Sequence, residues 1–213
     1  MGVKVLFLDY DGVIADSMGA KADALADAFA PYTQDRAGVA DGFRRHAGSG
    51  RELIFDRIYE DLIGAPLDEA TRRRILRVFL ARIDAINAAI GLFPGVHGFI
   101  EGQAAKRLVA VVTGVPQEEA QRQLERLGLA PFLASVHGAT RETPKHIHMG
   151  RVLEARAIAP ADALFVGDSQ ADMREAAKAH IPFVGIGEAA FFAKGAPLAV
   201  VPSLPDLAGL LDG

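Results

Sequence analysis

Cysteine and tryptophan are absent from this 213-residue chain. Without cysteine there is no disulfide, no thiolate metal site and no cysteine nucleophile, and the composition agrees with a reducing, cytoplasmic setting, which is the expectation. Long hydrophobic runs are missing too: the apolar stretches at residues 108–113 and 163–166 have strand length, far short of a bilayer span. The opening residues MGVKVLFLDYDG lack the apolar core and small-residue cleavage site of a signal peptide, and Met1-Gly2 is not followed by a myristoylation signal. A soluble protein with no membrane partner is expected. Positive charge is not in excess either, since 23 Lys and Arg face 27 Asp and Glu. The net charge of -4 leaves no global field to attract nucleic acid, so none is expected as a partner.

What the chain does contain is 50% hydrophobic and 23% charged residues, the balance of a globular protein. Residues 3–8 (VKVLFL) are a nearly continuous apolar run closed by an Asp and Gly cluster, which reads as a strand covered on both faces. Similar runs occupy residues 108–112, 163–166, 182–186 and 198–201, with residues 133–137 a weaker candidate. Helical patterns at residues 116–127, 147–156 and 171–179 lie between them, and such alternation implies a parallel sheet with helices on both faces. Residues 17–92 break the alternation, with helical patterns and no convincing strand. The last of these helices, residues 68–90, carries Ile75, Phe79, Ile83, Ile86 and Ile90 as one apolar stripe that must face a partner. The expected division is residues 1–16 with 93–213 as an α/β core and residues 17–92 as an insert.

Asp9 and Asp11 flank Tyr10 directly after the first strand, and side chains two apart in extended chain point the same way. Ligands of parallel sheets sit beyond the strand C-termini, where Thr113, Gly114 and Asp168 would join the pair. Clustered carboxylates repel unless a cation sits among them, and hard oxygen ligands suit Mg²⁺. The bland alternative is a strand-end turn with solvated carboxylates. His146 and His148 open a helix and diverge, which disfavours a transition-metal site, and Gly185-Ile186-Gly187 reads as a turn.

The ordered set Asp9-Tyr10-Asp11-Gly12-Val13, Thr113-Gly114, Lys145 and Gly167-Asp168-Ser169 with Asp172 resembles the haloacid dehalogenase superfamily, in its phosphatase branch with a helical cap of the phosphoglycolate phosphatase kind. The resemblance runs along the whole chain, although the family often writes Pro after the lysine where Pro144 here precedes Lys145. It implies a Rossmann-like three-layer α/β/α sheet with a small all-helical cap, hinged near residues 15–17 and 92–95. It further implies that Asp9 attacks phosphorus while Asp11 serves as acid and then base. Lys145, Thr113, Gly114 and Gly12 would bind the phosphate, and Mg²⁺ would be held by Asp9, the Asp11 main-chain oxygen and Asp168. Asp172 would orient Lys145 or a metal-bound water rather than bind the metal itself, and Ser169 would stand behind these groups with it. In the insert, residues 44–51 combine a glycine loop with several donors, and Arg51 is the candidate reader of a second anionic group on the substrate.

A phosphatase acting on a small phosphorylated metabolite is the leading expectation, as a monomer or homodimer. A phosphomutase of the same superfamily and a noncatalytic phosphometabolite-binding protein are the alternatives. Asp11 argues against dehalogenation, which needs no acid for its leaving group. Lys21, the insert's only lysine, has nothing around it in sequence to support a Schiff-base role in phosphonate cleavage.

Overall fold

The computed structural model describes residues 2–48, 50–139, 143–193 and 195–211, and its centre is β1 (Val5–Leu8). All four residues of β1 are buried, and they alternate between two hydrophobic clusters, Val5 and Phe7 in one, Leu6 and Leu8 in the other. Successive strand side chains point to opposite faces, so an unbroken apolar run needs cover on both. Joined to it are β2 (Leu108–Pro116), β3 (Ser135–Ala139), β4 (Ala163–Gly167), β5 (Phe183–Ile186) and β6 (Ala199–Val201). Every pairing is parallel and the order is β3-β2-β1-β4-β5-β6. The candidate strand expected at residues 133–137 is thus the edge strand β3.

Between β1 and β2 the chain forms α1 (Met18–Phe29), α2 (Arg36–His46), α3 (Arg51–Ile63) and α4 (Glu69–Ala89). These helices bury Leu25, Phe29, Phe55, Ile58, Ile75 and Phe79 in a hydrophobic cluster of their own. Helix α4 starts at residue 69 because the Asp68 carboxylate accepts the N–H groups of Ala70 and Thr71, at 2.9 and 3.0 Å. Its apolar stripe serves two partners. Ile75, Phe79 and Ile83 pack among the insert helices, Ile90 packs against the sheet, and Ile86 touches both clusters. The chain leaves and re-enters the sheet side by side, with Phe93 N–H donating to the Ile14 carbonyl at 3.1 Å and Asp16 N–H to that of Gly91 at 3.2 Å.

Helices α5 (Val96–Ala104) and α6 (Gln117–Arg126) cover the Leu6 and Leu8 face through Val96, Ile100, Ala120 and Leu124. On the opposite face, α7 (Lys145–Ala155) and α8 (Gln170–Lys178) pack through Met149, Leu153 and Ala176. The result is a Rossmann-like three-layer α/β/α fold. Two shifts of boundary bear on the site. Strand β2 runs on to Pro116, since its pairing with β3 resumes at Pro116 and Ala139 beyond an irregularity, so Thr113 and Gly114 lie within the strand. Helix α7 starts at Lys145, the residue after extended Pro144. Among the described residues no helix is long and apolar enough to cross a membrane.

Candidate active site

Asp9 follows the last residue of β1, and its N–H is tied to the Val166 carbonyl of β4 at 2.9 Å. Parallel pairing thereby sets the end of β1 beside the end of β4, which delivers Asp168 one residue after Gly167. Gly12 turns the chain at φ +76°, and a Cβ there would stand 1.9 Å from Asp168 Oδ2, so only glycine lets this turn close against the aspartate. From α7 comes Lys145, whose Nζ lies 2.9 Å from Asp9 Oδ1 and 2.6 Å from Asp172 Oδ1. Ser169 caps α8: its Oγ accepts the Asp172 N–H at 3.1 Å and donates to Asp172 Oδ2 at 2.5 Å. Asp172 is therefore held from two sides, in the place expected of a residue that orients Lys145.

Asp9, Asp168 and Asp172 bring carboxylate oxygens within 4.8 Å of one another. Burial pushes Asp9 up to about 7, Lys145 opposes this, and Asp172 and Asp11 add to it. Asp168 is raised well above the carboxylate range, first by burial and then by Asp9 and Asp172. Burial acts to lower Lys145, yet Asp172 and Asp9 hold its ammonium above the usual lysine range. One further observation concerns a cation: Asp168 Oδ1 is buried and takes no hydrogen bond from the described residues. An acceptor left this way is costly, and a cluster of three carboxylates that includes it, with no sulfur, fits a divalent ion of the Mg²⁺ type.

Thr113 is buried, and its Oγ1 accepts the Val115 N–H at 3.2 Å, leaving the hydroxyl proton free to donate elsewhere. Gly48 of the insert reaches across the site. A side chain there would meet Asp172 Oδ1 and Ser169 Oγ at 3.1 Å, and one at Gly114 would meet the Gly48 backbone at 3.6 Å. Asp9, Asp11, Thr113, Gly114 and Asp168 from the sheet edge face Met18, Lys21, Phe43, Arg51 and Phe79 from the insert across a small cavity of about 50 Å³.

Of the segment at residues 44–51 expected as a donor loop, Ser49 lies outside the described residues. Arg44, Arg45 and His46 end α2, where Arg44 pairs with Asp41 and Arg45 and His46 with Asp61. Arg51 does line the cavity, with Nη2 engaged by Glu119 of α6 at 3.0 Å. Asn87 of α4 donates to the same carboxylate at 2.9 Å. The two histidines diverge as expected, His146 to Glu175 at 2.7 Å and His148 to the His137 ring, centroids 5.2 Å apart. Sequence reasoning missed Lys21, Glu119 and Asn87 as neighbours of the site. Ser17 and Lys21, one helical turn apart and six and ten residues after Asp11, were the available signal for the first; the other two meet only in three dimensions.

The family model for haloacid dehalogenase-like hydrolases matches residues 3–180. The chain belongs to that family. This haloacid dehalogenase-like hydrolase is of the phosphatase type, a phosphoric monoester hydrolase. It is 29% identical over 196 residues to the phosphoglycolate phosphatase of Mesorhizobium japonicum, covering 87% of this chain and 83% of that one. Identity to the phosphoglycolate phosphatase of Rhodospirillum rubrum is 29% over 194 residues, covering 85% and 78%. A predicted phosphoglycolate phosphatase from Haemophilus somnus superimposes with a TM-score of 0.82 at 20% identity, covering 99% of this chain and 98% of that one, a likeness of fold.

Proposed function

We propose that this hydrolase removes phosphate from a small phosphorylated metabolite in two steps through an aspartyl-phosphate on Asp9, with Mg²⁺ as cofactor. The observation that carries the reading is the Asp9 carboxylate, buried at the sheet edge against Lys145 and near an Asp168 Oδ1 that takes no hydrogen bond from the described residues. In the first step an Asp9 oxygen forms a bond to phosphorus, the ester P–O bond breaks, and Asp11 gives its proton to the departing oxygen. In the second, Asp11 takes a proton from water as that water attacks phosphorus, which frees inorganic phosphate and restores Asp9. Lys145, the Thr113 hydroxyl and the Gly114 N–H are the donors for the phosphoryl oxygens. Asp9, Asp168 and the main-chain oxygen of Asp11 would hold Mg²⁺, which would supply positive charge to offset the carboxylates and the phosphoryl group.

The helical insert acts as a lid: Gly48 stands over Ser169 and Asp172, Arg51 pairs with Glu119 of α6, and Asp9 beneath them is buried. The names of the relatives put phosphoglycolate first in a panel of phosphometabolites. The test is release of p-nitrophenol from p-nitrophenyl phosphate. EDTA should stop it, Mg²⁺ should restore it, and Asp9→Asn should lower kcat by about 1,000-fold or more. Turnover of Asp9→Asn at the parent rate would reject the covalent mechanism.

A further inference from the structure

The carboxyl of Asp11 is gripped from the helical insert. Its Oδ1 accepts from Lys21 Nζ at 2.5 Å and from Ser17 Oγ, while no donor among the described residues bonds to Oδ2. Both donors belong to one turn of helix: Ser17 is the N-cap of α1 and its carbonyl accepts the Lys21 N–H at 3.0 Å. Only 4% of the Lys21 side chain is exposed, and a lysine so buried needs a partner for its charge. Asp11 is that partner, and the Tyr10 ring lies 5.8 Å below the ammonium.

Two donors on one oxygen fix the rotation of the carboxyl and leave the other oxygen with its lone pairs available. We infer that Lys21 is a positioning residue for the acid/base step: it anchors Asp11 by Oδ1 and so reserves Oδ2 for the leaving oxygen and then for the incoming water. The inference rests on the proposed acid/base role of Asp11. Because Lys21 rides on α1, the productive orientation of the acid exists only while the insert is seated, which ties proton transfer to closure.

A structural lysine would affect all substrates alike, and a lysine that reads a substrate anion would change KM for anionic esters. Phenyl phosphate and p-nitrophenyl phosphate separate these, since neither carries a second anion and only phenol leaves badly without a proton. Lys21→Met should lower kcat/KM for phenyl phosphate by about 30-fold but for p-nitrophenyl phosphate by about 3-fold or less, because general acid catalysis matters only to the poor leaving group. Lys21→Arg should recover part of the loss. Ser17→Ala, which removes the second Oδ1 donor, should show the same selectivity with a smaller loss. An undiminished Mg²⁺-dependent rise in Tm checks that each variant keeps its fold and metal site. Equal losses on both esters, or none while Asp11→Asn is selectively impaired on phenyl phosphate, would overturn the role of Lys21. If Asp11→Asn itself shows no such selectivity, the acid/base reading of Asp11 fails first.

Discussion

A methyl group on residue 12 would fall 1.9 Å from Asp168 Oδ2 on a backbone held at φ +76°, so Gly12→Ala must displace either the turn or the aspartate. Strain of this kind costs about 1–3 kcal/mol, to be seen in urea unfolding, and Mg²⁺ should bind more weakly with the carboxylate moved. An unfolding midpoint and metal affinity equal to the parent's would contradict the close approach. The same residues show what could be read in advance. Asp9, Asp11, Thr113, Gly114 and Asp168 were legible because they end apolar runs, and parallel strands must present their ends at one edge. The pairing of Lys145 with Asp172 was legible only as one of two options, since 27 residues separate them and helix packing decides the contact. Lys21 was visible as a lone lysine, but periodicity tells which face a side chain occupies and not what that face meets.

Among the elements, α3, α4 and α6 converge on one carboxylate. Glu119 of α6 receives Arg51 from α3 and Asn87 from α4, with side chains of Arg51 and Glu119 only 19% and 12% exposed. This ties the insert to the sheet layer beside the cavity. Glu119→Ala leaves a guanidinium and an amide without their acceptor, a loss of about 1–3 kcal/mol from the closed arrangement. KM should rise about tenfold with kcat changed far less, since closure and not chemistry is weakened. If Arg51 instead serves the substrate's second anion, freeing it would lower KM. Element boundaries were legible where a cap residue marks them, as Asp68 does for α4. Helix α5 was not anticipated, because its nine residues include Gly98 and Gly102 and its propensity is poor.

For the molecule as a whole, the buried carboxylates link stability to pH and metal. Asp9, pushed up to about 7 when folded, has an unfolded value of about 3.9. A carboxyl raised in this way favours the folded chain while protonated, so its contribution is complete below about pH 4 and disappears as pH rises through about 7. Mg²⁺ needs the ionised form and binds more strongly over the same interval. Metal-free protein should therefore lose thermal stability between about pH 5 and pH 8, and Mg²⁺ at about 100 times its Kd should restore about 2.7 kcal/mol at the higher pH. For a chain of this length that is a rise of about 5–10 °C in Tm, against little at pH 5. Equal rises at both pH values would remove Asp9 from the ligand set.

The two crossing points at Ile14 with Phe93 and Asp16 with Gly91 put the ends of the helical segment within a single hydrogen bond of each other. A segment so anchored is a module in the engineering sense. A foreign helical bundle could span the same gap without stretching the β-strands, so new substrate ranges can be grafted on provided the graft keeps the Ser17 and Lys21 turn that holds Asp11.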